Sequence, residues 1–99
     1  MVVNLSENEF DEKMVGKCVV AFSTTWCGPC KMLSPVLEEL SKEMKDVSFY
    51  KVDADVDVSL VTDFDVVSVP TLIVFQDGKI INRASGFVNK DKLITLITG

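Results

Sequence analysis

Two cysteines three positions apart, Cys27 and Cys30, are the residues of this 99-residue chain whose type and spacing best suit chemistry. The nucleophile in disulfide exchange is a thiolate, and a C-x-x-C pair supplies one sulfur to attack and a second to resolve. Cys27 stands just ahead of a predicted helix, where free N–H groups and the macrodipole favour negative charge. On that helix, neighbours at i and i+3 share a face about 5–6 Å apart, which suits the Cα spacing of a disulfide. The bland alternative is two ordinary buried thiols. The third cysteine, Cys18, lies in an apolar run and reads as packing. The chain has three thiols and no histidine, which excludes a His-based triad and leaves a structural zinc site short of its four ligands. Asp53-Ala54-Asp55-Val56-Asp57 opens like a calcium loop, but Val58 stands where that loop needs glycine and Phe64 where it needs glutamate. These acids read as the solvated end of a strand, and they bias partners toward basic surfaces.

Composition bounds what can surround the cysteines. Hydrophobic residues make up 47% and charged residues 25%, the balance of a globular chain, and the length suits one domain spanning 1–99 with its own core. Ten Lys+Arg against 15 Asp+Glu give a net charge of −5, which argues against nucleic acid and anionic membrane surfaces. No apolar run approaches the roughly 18 residues of a membrane span. Met1 to Phe10 carries Glu7 and Glu9 and no basic region, so it does not read as a secretory signal. An odd cysteine count without such a signal points to a reducing, cytoplasmic compartment.

The elements that position the cysteines follow from periodicity. Val2 to Leu5 is a short edge strand. Ser6 and Glu9 fit a capping box opening a helix to about Val15, with Phe10 and Met14 inward and Gly16 ending it. Cys18 to Ser23 is a continuous apolar run, the pattern of a strand buried on both faces. Pro29 suits the first turn of the next helix. That helix carries an apolar stripe of Met32, Leu33, Val36, Leu37, Leu40 and Met44, with Pro35 as an internal kink. Val47 to Val52 is a strand, Val56 to Phe64 a short helix, and Val66 to Pro70 a loop into a strand from Thr71 to Phe75. Asp77-Gly78 marks a two-residue hairpin into a strand from Lys79 to about Ser85. Asn89 caps a final helix. The order β-α-β-α-β-α-β-β-α implies parallel crossovers followed by an antiparallel hairpin.

With that order, and with Phe22-Ser23-Thr24-Thr25-Trp26-Cys27-Gly28-Pro29-Cys30-Lys31-Met32 joining a strand to a helix, the whole chain resembles the thioredoxin family. Pro35 matches the family's helix proline, and Val69-Pro70-Thr71 its cis-proline loop. Gly78 and Gly86 match its hairpin glycine and a surface glycine beside the active site. The F-S-x-T-W flavour is closer to the eukaryotic cytosolic type than to the bacterial one. The resemblance implies an α/β thioredoxin fold, a central five-stranded mixed sheet flanked by four helices. It also implies a protein-disulfide reductase in which Cys27 attacks and Cys30 resolves, with Trp26, Gly28 and Pro29 tuning the pair. Trp26, Gly28, Pro29, Val69, Pro70 and Gly86 would form the substrate groove, Trp26 as a flat apolar cover and Val69 through its backbone. No bound cofactor or metal is implied. The redox-active Cys27–Cys30 disulfide would be recharged indirectly by a NADPH-dependent thioredoxin reductase. The other partners would be disulfide-containing target proteins, and the chain a monomer.

One position departs from the family. Six residues before Cys27 the family carries a buried aspartate that helps deprotonate the resolving cysteine, and here the residue is Ala21. General-base assistance is worth about 10²–10⁴-fold, so its loss predicts slower resolution. Burying a carboxylate is unfavourable, so alanine also favours stability. Lys51 matches a lysine that partners the missing acid in bacterial members; here it is expected to turn to Asp53 or Asp55, or to solvent. Ala21 gives weight to an alternative function, a thioredoxin-fold binding or regulatory protein whose thiol state controls association with little turnover. That reading needs an exposed Cys27. A glutaredoxin is disfavoured by the Gly28-Pro29 dipeptide, and an isomerase by the Thr98-Gly99 ending, which is no ER-retention signal.

Overall fold

The computed structural model describes all 99 residues. One five-stranded sheet runs in the order β1-β3-β2-β4-β5, with β1 Val2–Asn4, β2 Lys17–Ser23, β3 Val47–Asp53, β4 Thr71–Gln76 and β5 Lys79–Ser85. The strands β1, β3 and β2 are mutually parallel, and β4 and β5 are antiparallel. The helices are α1 Phe10–Lys13, α2 Gly28–Glu43, α3 Val58–Asp63 and α4 Lys90–Thr98. The expected α/β order and mixed sheet are therefore both present.

Strand β2 is central, and Cys18 through Ser23 are all buried. Alternation along it divides the core in two. Val19 and Ala21 pack with Phe49, Leu72 and Val74 against Leu33, Leu37 and Leu40 of α2 and Leu93, Leu96 and Ile97 of α4. Cys18, Val20 and Phe22 pack with Val52, Ile73 and Phe75 against Phe10 of α1 and Leu60 of α3. The second core centres on aromatic contacts. Phe75 meets Phe10 at 5.6 Å and Phe64 at 5.4 Å, both edge to face.

The first and third helices are shorter than their sequence patterns. Glu9 does reach back to Ser6, accepting from its N–H and hydroxyl, but the residues between form a turn and α1 begins only at Phe10. Near β3, the N–H groups of Val56 and Asp57 both bond to the Asp53 carbonyl, and this turn delays α3 to Val58. Such short helices gain little from propensity and are held by the apolar residues they bury. Helix α2 runs through Pro35, whose missing N–H leaves the Lys31 carbonyl without its usual partner. Asp77 and Gly78 both take positive φ, as a tight hairpin turn demands. Asn89 caps α4 by accepting from the Lys92 N–H at 2.9 Å.

Because Phe75 joins Phe10 and Phe64 across one core, Phe75→Ala should cost about 3–5 kcal/mol. Urea unfolding checks this: the midpoint should fall while the m-value stays constant.

Candidate active site

The loop that leaves β2 at Ser23 carries Thr24 to Cys27 to the N-terminus of α2. The Ala54 N–H bonds to the Ser23 carbonyl at 2.9 Å, which ties this loop to the end of β3. Cys27 is the N-cap of α2: its backbone is extended, and its Sγ accepts the Cys30 N–H at 3.2 Å. A sulfur thus occupies the place where a cap oxygen usually satisfies a free helix donor. Gly28 and Pro29 form the first turn of α2, with Cys30 one turn in.

Both sulfurs are buried, Cys27 at 5% exposure and Cys30 at 6%. The exposed Cys27 required by the binding alternative is therefore corrected: its thiol lies low in a cleft and donates to the Val69 carbonyl, 3.7 Å away. The Val69–Pro70 peptide is cis. The Pro70 carbonyl accepts the Gly86 N–H at 2.8 Å, which places Gly86, with φ of +84°, beside the proline.

The two cysteines open onto different clefts. Cys27 faces one of about 550 Å³ lined by Trp26, Gly28, Pro29, Val67, Val69 and Asp55, among others. Four of the expected groove residues are here, while Pro70 and Gly86 lie outside this lining. The sequence reading missed Val67, which is 93% exposed, and Asp55. An apolar residue in a loop was the only available sign of the first. Cys30 faces a polar cleft of about 640 Å³ that also includes Thr24, Ser34, Lys51, Asp53 and Asp57.

Trp26 is 70% exposed, which removes it from the core. Its indole N–H donates to Asp55 Oδ2 at 2.8 Å, and the Asp55 N–H donates to Asp53 Oδ1 at 2.9 Å. The acids beyond β3 are thus more than a solvated strand end; they hold the indole in place. Lys51 does not turn to them: its Nζ donates to Ser34 Oγ at 2.9 Å, correcting the expected turn toward Asp53, Asp55 or solvent.

Burial pushes the Cys30 thiol up to about 11, helped by its hydrogen bond and charge contact with Cys27. The Thr24 backbone and the Lys51 charge pull the other way. Burial likewise raises Cys18, which donates to the Val15 carbonyl at 3.4 Å and fits the packing role expected of it.

The sequence profile described as Thioredoxin matches residues 1–99. The chain belongs to the thioredoxin family. The thioredoxin of Chlamydia trachomatis is 43% identical over 99 residues, covering 99% of this chain and 97% of that one. The thioredoxin of Staphylococcus aureus is 40% identical, covering 97% and 94%. Among solved structures, a Malassezia sympodialis thioredoxin superposes with a TM-score of 0.89 at 34% identity, covering 99% of this chain and 89% of its own. A Nicotiana alata thioredoxin gives 0.88 at 34% identity, covering 95% and 87%. The likeness thus extends to bacterial, fungal and plant thioredoxins. As a member of this family the chain is a thiol–disulfide oxidoreductase.

The Asp55 bond should hold Trp26 over the cleft. Asp55→Leu should increase indole mobility, visible as lower fluorescence anisotropy because the chain has one tryptophan. The loss of one such hydrogen bond should raise KM for a protein disulfide by about three- to tenfold.

Proposed function

We propose that this thioredoxin-family domain is a general reductase of disulfides in other proteins, with Cys27 as nucleophile and Cys30 as resolving thiol. The observation that carries the reading is Cys27 Sγ at the helix cap, accepting the Cys30 N–H and facing a cleft of its own. The cap donor stabilises negative charge on Cys27. In the first step the Cys27 thiolate attacks one sulfur of a target disulfide. A mixed disulfide forms, and the other target sulfur leaves as a thiolate and takes a proton from solvent. In the second step Cys30 gives up its proton and attacks Cys27 Sγ. The Cys27–Cys30 bond forms, the bond to the target breaks, and the second target thiolate leaves and is protonated.

Trp26, Gly28, Pro29 and Val69 supply the contact surface for an extended target segment. Pro70 and Gly86 support the Val69 loop from outside that cleft. The oxidised domain carries two electrons fewer, which a thioredoxin reductase drawing on NADPH returns. A monomer acting in the cytoplasm fits this cycle, with residues 1–99 as the working domain. No helix of the chain is long and apolar enough to cross a membrane.

Ala21 favours a second reading, a binding protein whose thiol state controls association with little turnover, its partner reaching Cys27 through the cleft rather than at an exposed thiol. At 1% exposure, packed among Leu33, Leu37 and Leu72, it offers no base to Cys30.

Single-turnover reduction of a model protein disulfide, quenched with acid, separates these readings. Cys27→Ser should abolish mixed-disulfide formation, and Cys30→Ser should trap the mixed disulfide. Burial is the largest influence holding the Cys30 thiol protonated, and it persists when Cys27 is bound to a target. The sign is therefore a resolving rate that rises with pH, by up to about tenfold per unit from pH 6 to 9. A mixed disulfide that persists across this range would favour the binding reading.

A further inference from the structure

We propose that Arg83, on the edge strand β5, is a positioning residue for target capture: it clamps the chain after α3 so that Val67 and Val69 stand as one wall of the Cys27 cleft. The inference rests on the reductase reading above and deepens its first step.

The way α3 ends creates the need for a clamp. The Val66 N–H bonds to the Val61 carbonyl at 2.9 Å, and the Asp65 N–H to the Thr62 carbonyl at 3.3 Å. With Phe64 as C-cap and Asp65 at φ of +52°, this is a Schellman ending. Glycine is the usual residue at that left-handed position, and a side chain there carries a conformational cost. The carbonyls of a final helical turn also lack partners within the helix. Here a side chain from across the sheet serves the two that follow. Arg83 Nη1 donates to the Phe64 carbonyl at 2.5 Å, and Nη2 to the Asp65 carbonyl at 2.7 Å. A planar guanidinium can hold both at once, which a single ammonium does less well.

Strand register delivers the arginine. Arg83 is paired with Ile73 of β4, which packs into the core beneath α1 and α3. Alternation puts the Arg83 side chain on that same side of the sheet. No carboxylate competes for it, because the ion pairs of the chain are those of Lys90 with Glu39 and Glu43.

The cleft wall begins just past the clamp. Phe64 packs inward against Phe10 and Phe75, and Val66 is buried in the same core. Val67, Ser68 and Val69 then line the cleft onto which Cys27 opens. The far end of this stretch is also held. The Thr71 hydroxyl donates to the Ser68 carbonyl at 2.7 Å, and the Gly86 N–H to the Pro70 carbonyl at 2.8 Å. Strand β5 therefore grips the stretch twice, through Arg83 before Val67 and through Gly86 after Val69. Val67 itself is exposed and makes no backbone hydrogen bond, so its place is set by these flanking grips. A wall fixed in advance loses less freedom when a target segment docks, and binding is stronger by that amount. Arg83 touches no reacting atom and acts through the loop alone.

The test compares Arg83→Met and Arg83→Lys with the parent. In single turnover with excess insulin, Arg83→Met should raise the half-saturating insulin concentration by about three- to tenfold while the limiting rate holds. Arg83→Lys should recover part of the loss. Reduction of bis(2-hydroxyethyl) disulfide, too small to span the wall, should proceed as in the parent. A second measurement needs no target: amide hydrogen exchange of residues 64–69, read by mass spectrometry, should quicken in Arg83→Met while that of β2 stays unchanged. An unchanged half-saturating concentration would overturn the proposal, and so would unmoved exchange of 64–69. Equal slowing toward both disulfides, with faster exchange throughout the chain, would also overturn it, since that is the pattern of general destabilisation. Failure of the parent to reduce insulin would overturn the reductase reading instead, while the exchange of 64–69 would still decide whether Arg83 holds the loop.

Discussion

Strand β2 is the constraint on which the molecule depends. Its residues from Cys18 to Ser23 are buried on both faces, and it is bonded to β3 on one side and β4 on the other. A strand in that position cannot slip by one residue, because the slip would exchange Val19 and Ala21 with Cys18, Val20 and Phe22 between two differently shaped cores. Fixed register fixes the strand's end, and the end delivers Cys27 to the first turn of α2. The Cys27 sulfur is thus located by packing some distance away, with little reliance on the loop that carries it.

The site divides its work between two faces of one helix terminus. Cys27 opens onto the cleft with Trp26 and Val67, where an apolar wall suits protein contact. Cys30 opens onto the polar cleft with Ser34 and Lys51. The separation follows from helical geometry. Residues at i and i+3 are close enough for a disulfide yet are offset along the axis, so different neighbours reach each of them.

Ala21 shows how such a site can trade groups without changing the fold. A carboxylate among Leu33, Leu37 and Leu72 would carry a desolvation cost, which alanine avoids. The loss concerns proton removal from a thiol that burial already holds near 11. What remains on that face of the sheet is a cation opposite the alanine, tethered to a serine rather than neutralised by an acid.

The sequence by itself determined the order of the elements, the helix that begins at the cysteine pair, the Asp77–Gly78 turn and the Asn89 cap. Each is written in the period of apolar residues or in a hydrogen bond spanning a few positions, so a local reading suffices. It also singled out Cys27, Cys30 and Trp26, because their types are scarce and their spacing is local. Only the tertiary structure decided the extent of α1 and α3, where turns competed with helix. It alone decided that Cys27 is buried, that Trp26 bonds to Asp55 across 29 residues, and that Lys51 reaches Ser34 across 17 rather than a nearby acid. Those outcomes depend on which strands pair and in which register, and neither is carried by the spacing of residues along the chain.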